Sequence, residues 1–169
     1  MARAMDTDPF QGLRFHVKAT KAGGANLESF TNSAGFNTVS LPTHTVETVE
    51  YKEGIMVYRR KFPGDTTFDD ITLTRGVTVA NSEFWQWIDA ASSGREYRAD
   101  LKIYQFHRDD ITDESDFSTI ENPSRIINCF DCFPISVKSG SDMDSLSSEI
   151  SIQEIVVSLE RFSIENKRA

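Results

Sequence analysis

Residues 51–79 read YKEGIMVYRRKFPGDTTFDDITLTRGVTV, and the order of breaks and alternations in this stretch sets the expectation for the whole fold. Glu53-Gly54 interrupts two strand-like runs, Val46 to Tyr51 and Ile55 to Lys61, so the local reading is a β-hairpin that turns at that glycine. Pro63 fixes φ and has no N–H for a ladder, while Gly64 can take positive φ. Phe62-Pro63-Gly64-Asp65 therefore reads as a tight turn that stops the second run. In the third strand Ile71, Leu73, Val77 and Val79 alternate with Thr72, Thr74 and Thr78, giving an apolar face and a hydroxyl face. Arg75 falls on the apolar side of that alternation and Gly76 follows it, which calls for either a bulge or a buried, paired guanidinium.

Upstream, Leu13, Phe15, Val17 and Ala19 alternate with Arg14, His16 and Lys18, a half-buried strand with a basic outer face. Phe30, Gly35, Phe36, Val39 and Leu41 suggest a second strand, broken at Asn32-Ser33-Ala34-Gly35 and stopped by Pro42. Downstream, Asn81 or Ser82 can cap a helix with Glu83 in its first turn and Phe84, Trp87, Ile88 and Ala91 at helical spacing, ended by Ser92-Ser93-Gly94. Trp85 and Trp87 are two apart on that helix and cannot both face a core. Trp87 goes inward with Phe84 and Ile88, which leaves Trp85 as a subunit-contact candidate. Arg98 to His107 is a strand with apolar residues on both faces, as for a strand covered on two sides. Asp109 to Pro123, DDITDESDFSTIENP, reads as an exposed acidic connection. Ile126 to Val137 is a further strand, and Glu149 to Ile164 a closing strand long enough to cross the domain. The sum is a mainly β domain, two packed sheets or a short barrel with one helix, spanning 1–169, with 1–10 as an arm.

The 169 residues include two cysteines, too few for a disulfide framework, and the length is enough for a core without metals. Met1 to Phe10 carries Arg3, Asp6 and Asp8 and does not resemble a signal peptide, so synthesis in a reducing cytoplasm is the expectation. No run approaches the roughly 20 apolar residues of a membrane span. The net charge of −8 is uneven: residues 1–107 carry 12 basic and 13 acidic side chains, and 108–169 carry 6 and 13. Such an acidic chain repels polyanions instead of gripping them, which would suit the wall of a conduit as well as an ordinary soluble surface.

No pattern announces catalysis, a cofactor or a metal. Cys129 and Cys132 have CxxC spacing, but strand positions three apart point to opposite faces and no second ligand pair lies at suitable spacing, so both read as inert. His16, His44 and His107 stand in separate elements with no nucleophile-elbow pattern near them. Asp109, Asp110, Asp113, Glu114 and Asp116 lack the glycine and terminal glutamate of a calcium loop. Arg59-Arg60-Lys61 is the one basic cluster. Arg59 and Lys61 share a strand face and suit an acidic surface, such as the 108–169 half of an identical subunit.

The pieces YKEG at Tyr51 to Gly54, KFPG at Lys61 to Gly64, ITLTRGV at Ile71 to Val77 and FWQWI at Phe84 to Ile88 resemble, in that order, the tail tube protein family of contractile phages and phage-tail-like injection systems. YRADLKI at Tyr97 to Ile103, CFP at Cys132 to Pro134, where the family usually has a small residue first, and EIVVSLERF near the C-terminus extend the resemblance over nearly the whole chain. It implies six subunits in a ring, inner sheets joined into a continuous barrel, and rings stacked into a hollow tube. It further implies partners: the same chain, a contractile sheath, baseplate or tube-initiator and terminator proteins, and DNA or protein cargo that passes without specific binding. No cofactor and no stable membrane association is implied. The Glu53-Gly54 hairpin would take part in stacking, with Arg59, Lys61 and Trp85 as further contacts and Pro63, Gly64, Arg75, Gly76, Trp87 and Pro134 as structural positions. A tube-initiating or capping paralogue, a small-ligand-binding barrel and a hydrolase stand as alternatives.

Overall fold

The computed structural model describes residues 14–19, 35–78, 82–106, 123–142 and 148–166. The expected arm at 1–10, the acidic stretch 109–122, Phe30 and His107 lie outside them. In order come β1 (Phe15–Ala19), β2 (Phe36–Val39), β3 (His44–Tyr51), β4 (Arg60–Phe68), β5 (Ile71–Gly76), α1 (Glu83–Ser92), β6 (Ala99–Gln105), β7 (Arg125–Lys138), β8 (Ile152–Ser158) and β9 (Arg161–Asn166). The protein is mainly β with one helix among the described residues, as its alternations imply.

β7 is the spine. Its first half pairs antiparallel with β6 and β9, and its second half with β8. β1 extends the sheet beyond β6, while β5 and then β2 extend it beyond β8, giving the order β1-β6-β7-β8-β5-β2. β1 and β2 each have one paired neighbour, so the sheet does not close into a barrel among the described residues. Both halves turn their apolar faces to one core, where Val17, Leu101, Ile103 and Ile127 meet Ile71, Leu73, Ile155 and Val157. The helix covers that core with Phe84, Trp87 and Ala90. Trp87 is fully buried, and its Nε1–H donates to the Tyr97 carbonyl oxygen at 2.6 Å. Trp85 stays exposed, as the two-residue spacing requires.

Four expectations are corrected. The hairpin does not turn at Glu53-Gly54 between adjacent strands: Tyr51 pairs with Arg60, so the connection is the eight residues 52–59 and Ile55 to Arg59 belong to it. Phe62-Pro63-Gly64-Asp65 is no turn either. β4 runs through it, Pro63 stands opposite Thr48, and the register shifts between Val46 and Thr48. A two-stranded ribbon has two free edges, so a proline without a ladder N–H is tolerated there, and the bulge absorbs the irregularity. Gly64 is needed for close approach: a Cβ would lie 2.9 Å from Val49 Cγ2 and 3.3 Å from the Glu47 carbonyl oxygen. β6 is covered fully on its Leu101 and Ile103 face and only in part on the other, where Lys102 is exposed, Tyr104 half-buried and Phe106, just past the strand, buried. The closing segment runs along all of β7 but breaks at Leu159-Glu160 into β8 and β9, where Glu160 N–H donates to the Phe130 carbonyl oxygen at 3.3 Å.

That break lies beside a second bulge. Asp131 has φ 54°, a left-handed conformation that aspartate tolerates better than most residues. Its N–H donates to Asp100 Oδ1 at 3.0 Å. Cys129 pairs with Leu101 and Cys132 with Ala99, so β7 carries one extra residue there. The extra residue overturns the expectation that the two cysteines face opposite ways: both are fully buried. Burial pushes both thiols up to about 12, so they are protonated and unreactive at neutral pH. A maleimide at pH 7 is therefore expected to label neither cysteine in folded protein and both in denaturant, counted by mass spectrometry. Replacing both with alanine is expected to cost about 1–3 kcal/mol per site by denaturant melt.

Candidate assembly interface

The β3–β4 hairpin leaves the body of the domain. Neither strand pairs with the main sheet, and nearly every residue of both is exposed. Its base is held where β5 begins. Asp69 N–H donates to the Thr43 carbonyl oxygen at 3.1 Å. His44 stacks on Phe68 with ring centres 4.9 Å apart, and Phe68 meets Phe162 of β9 edge-on at 5.8 Å.

At the far end Met56 N–H donates to the Glu53 carbonyl oxygen at 2.9 Å, so Glu53, Gly54, Ile55 and Met56 form a turn within the eight-residue tip. The side chains beyond it are bare: Ile55 is 99%, Val57 94% and Tyr58 71% exposed. Arg59 Nη1 reaches Glu50 Oε2 at 3.0 Å and Lys61 Nζ reaches Glu50 Oε1 at 3.8 Å. Two cations thus share one carboxylate, which leaves positive charge in excess at the tip. Ion pairs this exposed contribute little to folding. Sequence reasoning placed Ile55 and Val57 inside a strand and so missed them as surface. The signal available was the odd density of apolar residues between Gly54 and the basic run.

A second constellation is interior. Arg75 is 1% and Glu83 4% exposed, and Arg75 Nη2 meets Glu83 Oε2 at 2.7 Å. The guanidinium lies 4.0 Å from the Phe84 ring centre, and Phe84 stacks on Phe36 at 6.2 Å. With its amide oxygen turned to the guanidinium, Gln153 accepts from Nε at 2.5 Å and Nη2 at 3.2 Å. Of the two courses open to Arg75, the structure takes burial and pairing. Glu83 stands in the first turn of α1, as the sequence places it, and is also the counter-ion that ties α1 to β5. Gly76 pairs with Ile152 at the end of that strand. Pro134 is buried in β7 opposite Val157, beside a register shift between Pro134 and Ser136 that accommodates its missing N–H.

A cleft of about 270 Å³ lies between the terminal strands β1 and β2, walled by Arg14, Phe15, Thr38, Val39, Ile103 and Gln105. Its described walls carry no His, Cys or Ser. Among the described residues no group of His, Cys, Asp or Glu is placed to hold a metal, and no helix is long and apolar enough to cross a membrane.

Among the described residues, then, the outermost strands β1 and β2 each have one paired neighbour, a hairpin projects with bare apolar side chains at its tip, and the interior is locked by a buried ion pair. The chain belongs to the T4-like virus tail tube protein gp19 family, whose model matches residues 11–163. It is a structural protein and not an enzyme. No protein of curated function matches the sequence. Among solved structures, a chain of the sheath–tube complex of the extracellular contractile injection system PVC, in its extended state, is similar with TM-score 0.74 and 21% identity, covering 98% of this chain and 99% of that one. A chain of the anti-feeding prophage tube-terminating cap gives 0.73 and 22%, covering 98% and 95%. A chain of the PVC sheath/tube terminator gives 0.72 and 23%, covering 94% and 97%. At these identities the likeness is one of fold.

Proposed function

We propose that this chain is the repeated subunit of the inner tube of a contractile injection machine. Six copies form a ring, rings stack into a hollow conduit, and the shortening of a surrounding sheath drives that conduit through a target envelope. The observation that carries the reading is the β3–β4 hairpin, a ribbon that pairs with no other strand among the described residues and ends in Ile55, Val57 and Tyr58. An isolated two-stranded ribbon is marginal by itself, and apolar side chains this bare gain by burial against another surface. Glu53, Gly54, Arg59 and Lys61 flank the tip and would join the contact. Trp85, exposed on α1, is a second contact point, toward a neighbouring subunit or the sheath. Baseplate or initiator and terminator proteins would close the two ends, and DNA or protein cargo would pass without specific binding.

A capping or terminating role is the second reading, supported by the similarity to cap and terminator chains at nearly the same TM-score as to the tube chain. Electron microscopy separates the two. Purified protein, alone and with its sheath and baseplate proteins, is expected to give rings and long tubes by negative stain. Single rings confined to tube ends would support the cap. A species that stays monomeric by light scattering in both conditions, up to high concentration, would overturn both.

A further inference from the structure

We infer that the hairpin tip of one copy docks on an apolar seat at the opposite end of β5 in a second copy, formed by Val77, Ile150 and Ile152. The inference rests on the tube reading and names the surface that completes it. A polymer that grows in one direction needs two different, mutually complementary patches on each subunit, facing opposite ways. The hairpin supplies one at the start of β5, where Phe68, Asp69 and Asp70 lead into Ile71. Six residues later, roughly 20 Å along the strand at its usual rise, Val77 and Ile152 are partly exposed and Ile150 is 77% exposed.

The seat is shallow and held rigid. Val77 N–H donates to the Ser151 carbonyl oxygen at 2.9 Å, Ser141 N–H to Ser151 Oγ at 3.2 Å, and Ile152 N–H to Ser141 Oγ at 3.1 Å. Gly76 and Gly140 border it: a Cβ at Gly76 would lie 3.8 Å from Ile150 Cγ2, and one at Gly140 3.8 Å from Val77 Cγ2. Neither residue therefore puts a side chain over the apolar surface. Charge selects the partner. Around the tip Lys52, Arg59, Arg60 and Lys61 outnumber Glu50 and Glu53, while beside the seat the described residues Asp142, Glu149 and Glu154 outnumber Lys138, which stands opposite Glu154. An apolar tip with a basic collar meets an apolar seat with an acidic rim, so association is steered in one orientation and two tips or two seats repel each other.

The test joins the two patches covalently. In assembled tubes of Val57→Cys/Ile150→Cys, a short bis-maleimide is expected to give a ladder of multimers on a denaturing gel, because every copy carries one tip and one seat. Each single variant is expected to give none, since the native thiols are buried. Ile150→Asp, at an exposed site, is expected to leave rings intact and reduce stacked rings by about tenfold or more. Wild-type tubes accompanied by an absent ladder, or by Ile150→Asp tubes in normal number, would overturn the seat alone. Wild-type protein that forms neither rings nor tubes with its partners present would overturn the tube reading, and the seat with it.

Discussion

Glu83→Gln is expected to cost the unassembled subunit about 3–5 kcal/mol, the largest loss of any single conservative change in this chain, because it strands the Arg75 charge in a dry interior. Glutamine keeps the shape of the side chain and removes only its charge. The Arg75 guanidinium would then have Gln153 and the Phe84 ring for company, neither of which neutralises it. Since domains of this size are stable by about 5–15 kcal/mol in all, the variant should sit near the edge of folding. Its melting midpoint should fall by roughly 6–20 °C. Arg75→Met with Glu83→Leu removes both charges and should lose less than Glu83→Gln alone, since an apolar pair of similar volume can replace a buried ion pair with little penalty. Urea melts of the three proteins decide the matter: a Glu83→Gln loss under 1 kcal/mol would show that the pair is solvated in solution and does not lock α1 to the sheet.

Ile55→Asp with Val57→Asp is expected to have the largest effect on assembly while leaving the fold alone. Both side chains are almost fully exposed in the subunit, so stability should change by about 0.5 kcal/mol or less. If the tip is buried between subunits, each aliphatic side chain contributes about 1.5–3 kcal/mol to the contact. Two aspartates forfeit that gain and add the penalty of burying a carboxylate. With each ~1.4 kcal/mol worth a factor of ten, stacking should weaken by roughly a hundredfold at least, and the effect repeats at every contact along a tube. Circular dichroism should match the parent protein while negative-stain microscopy shows no tubes. Normal tubes would mean that the tip is solvated in the assembly and would remove the observation on which the functional reading rests.

Local chemistry along the chain determined the mainly β class, the helix at Glu83–Ser92, the inward Trp87 and outward Trp85, and the oddity of Arg75, because alternation and helical spacing are properties of neighbouring residues. The order of short motifs was enough to point to the tail tube family, which a match over residues 11–163 shows. Irregular backbone was not legible. Pro63-Gly64 has the composition of a turn, but whether such a pair turns or bulges depends on the strand opposite, and β3 lies across from it with a shift of register beside Thr48. CxxC spacing predicted opposed thiols until Asp131 took φ 54° and inserted one residue, which only pairing with β6 reveals. The partner of Arg75 and the seat at Val77, Ile150 and Ile152 join groups from segments distant in sequence or separated by a loop. Tertiary structure alone decided them, because a buried charge and an exposed apolar patch are defined by what the rest of the fold places around them, and no local run of residues records that.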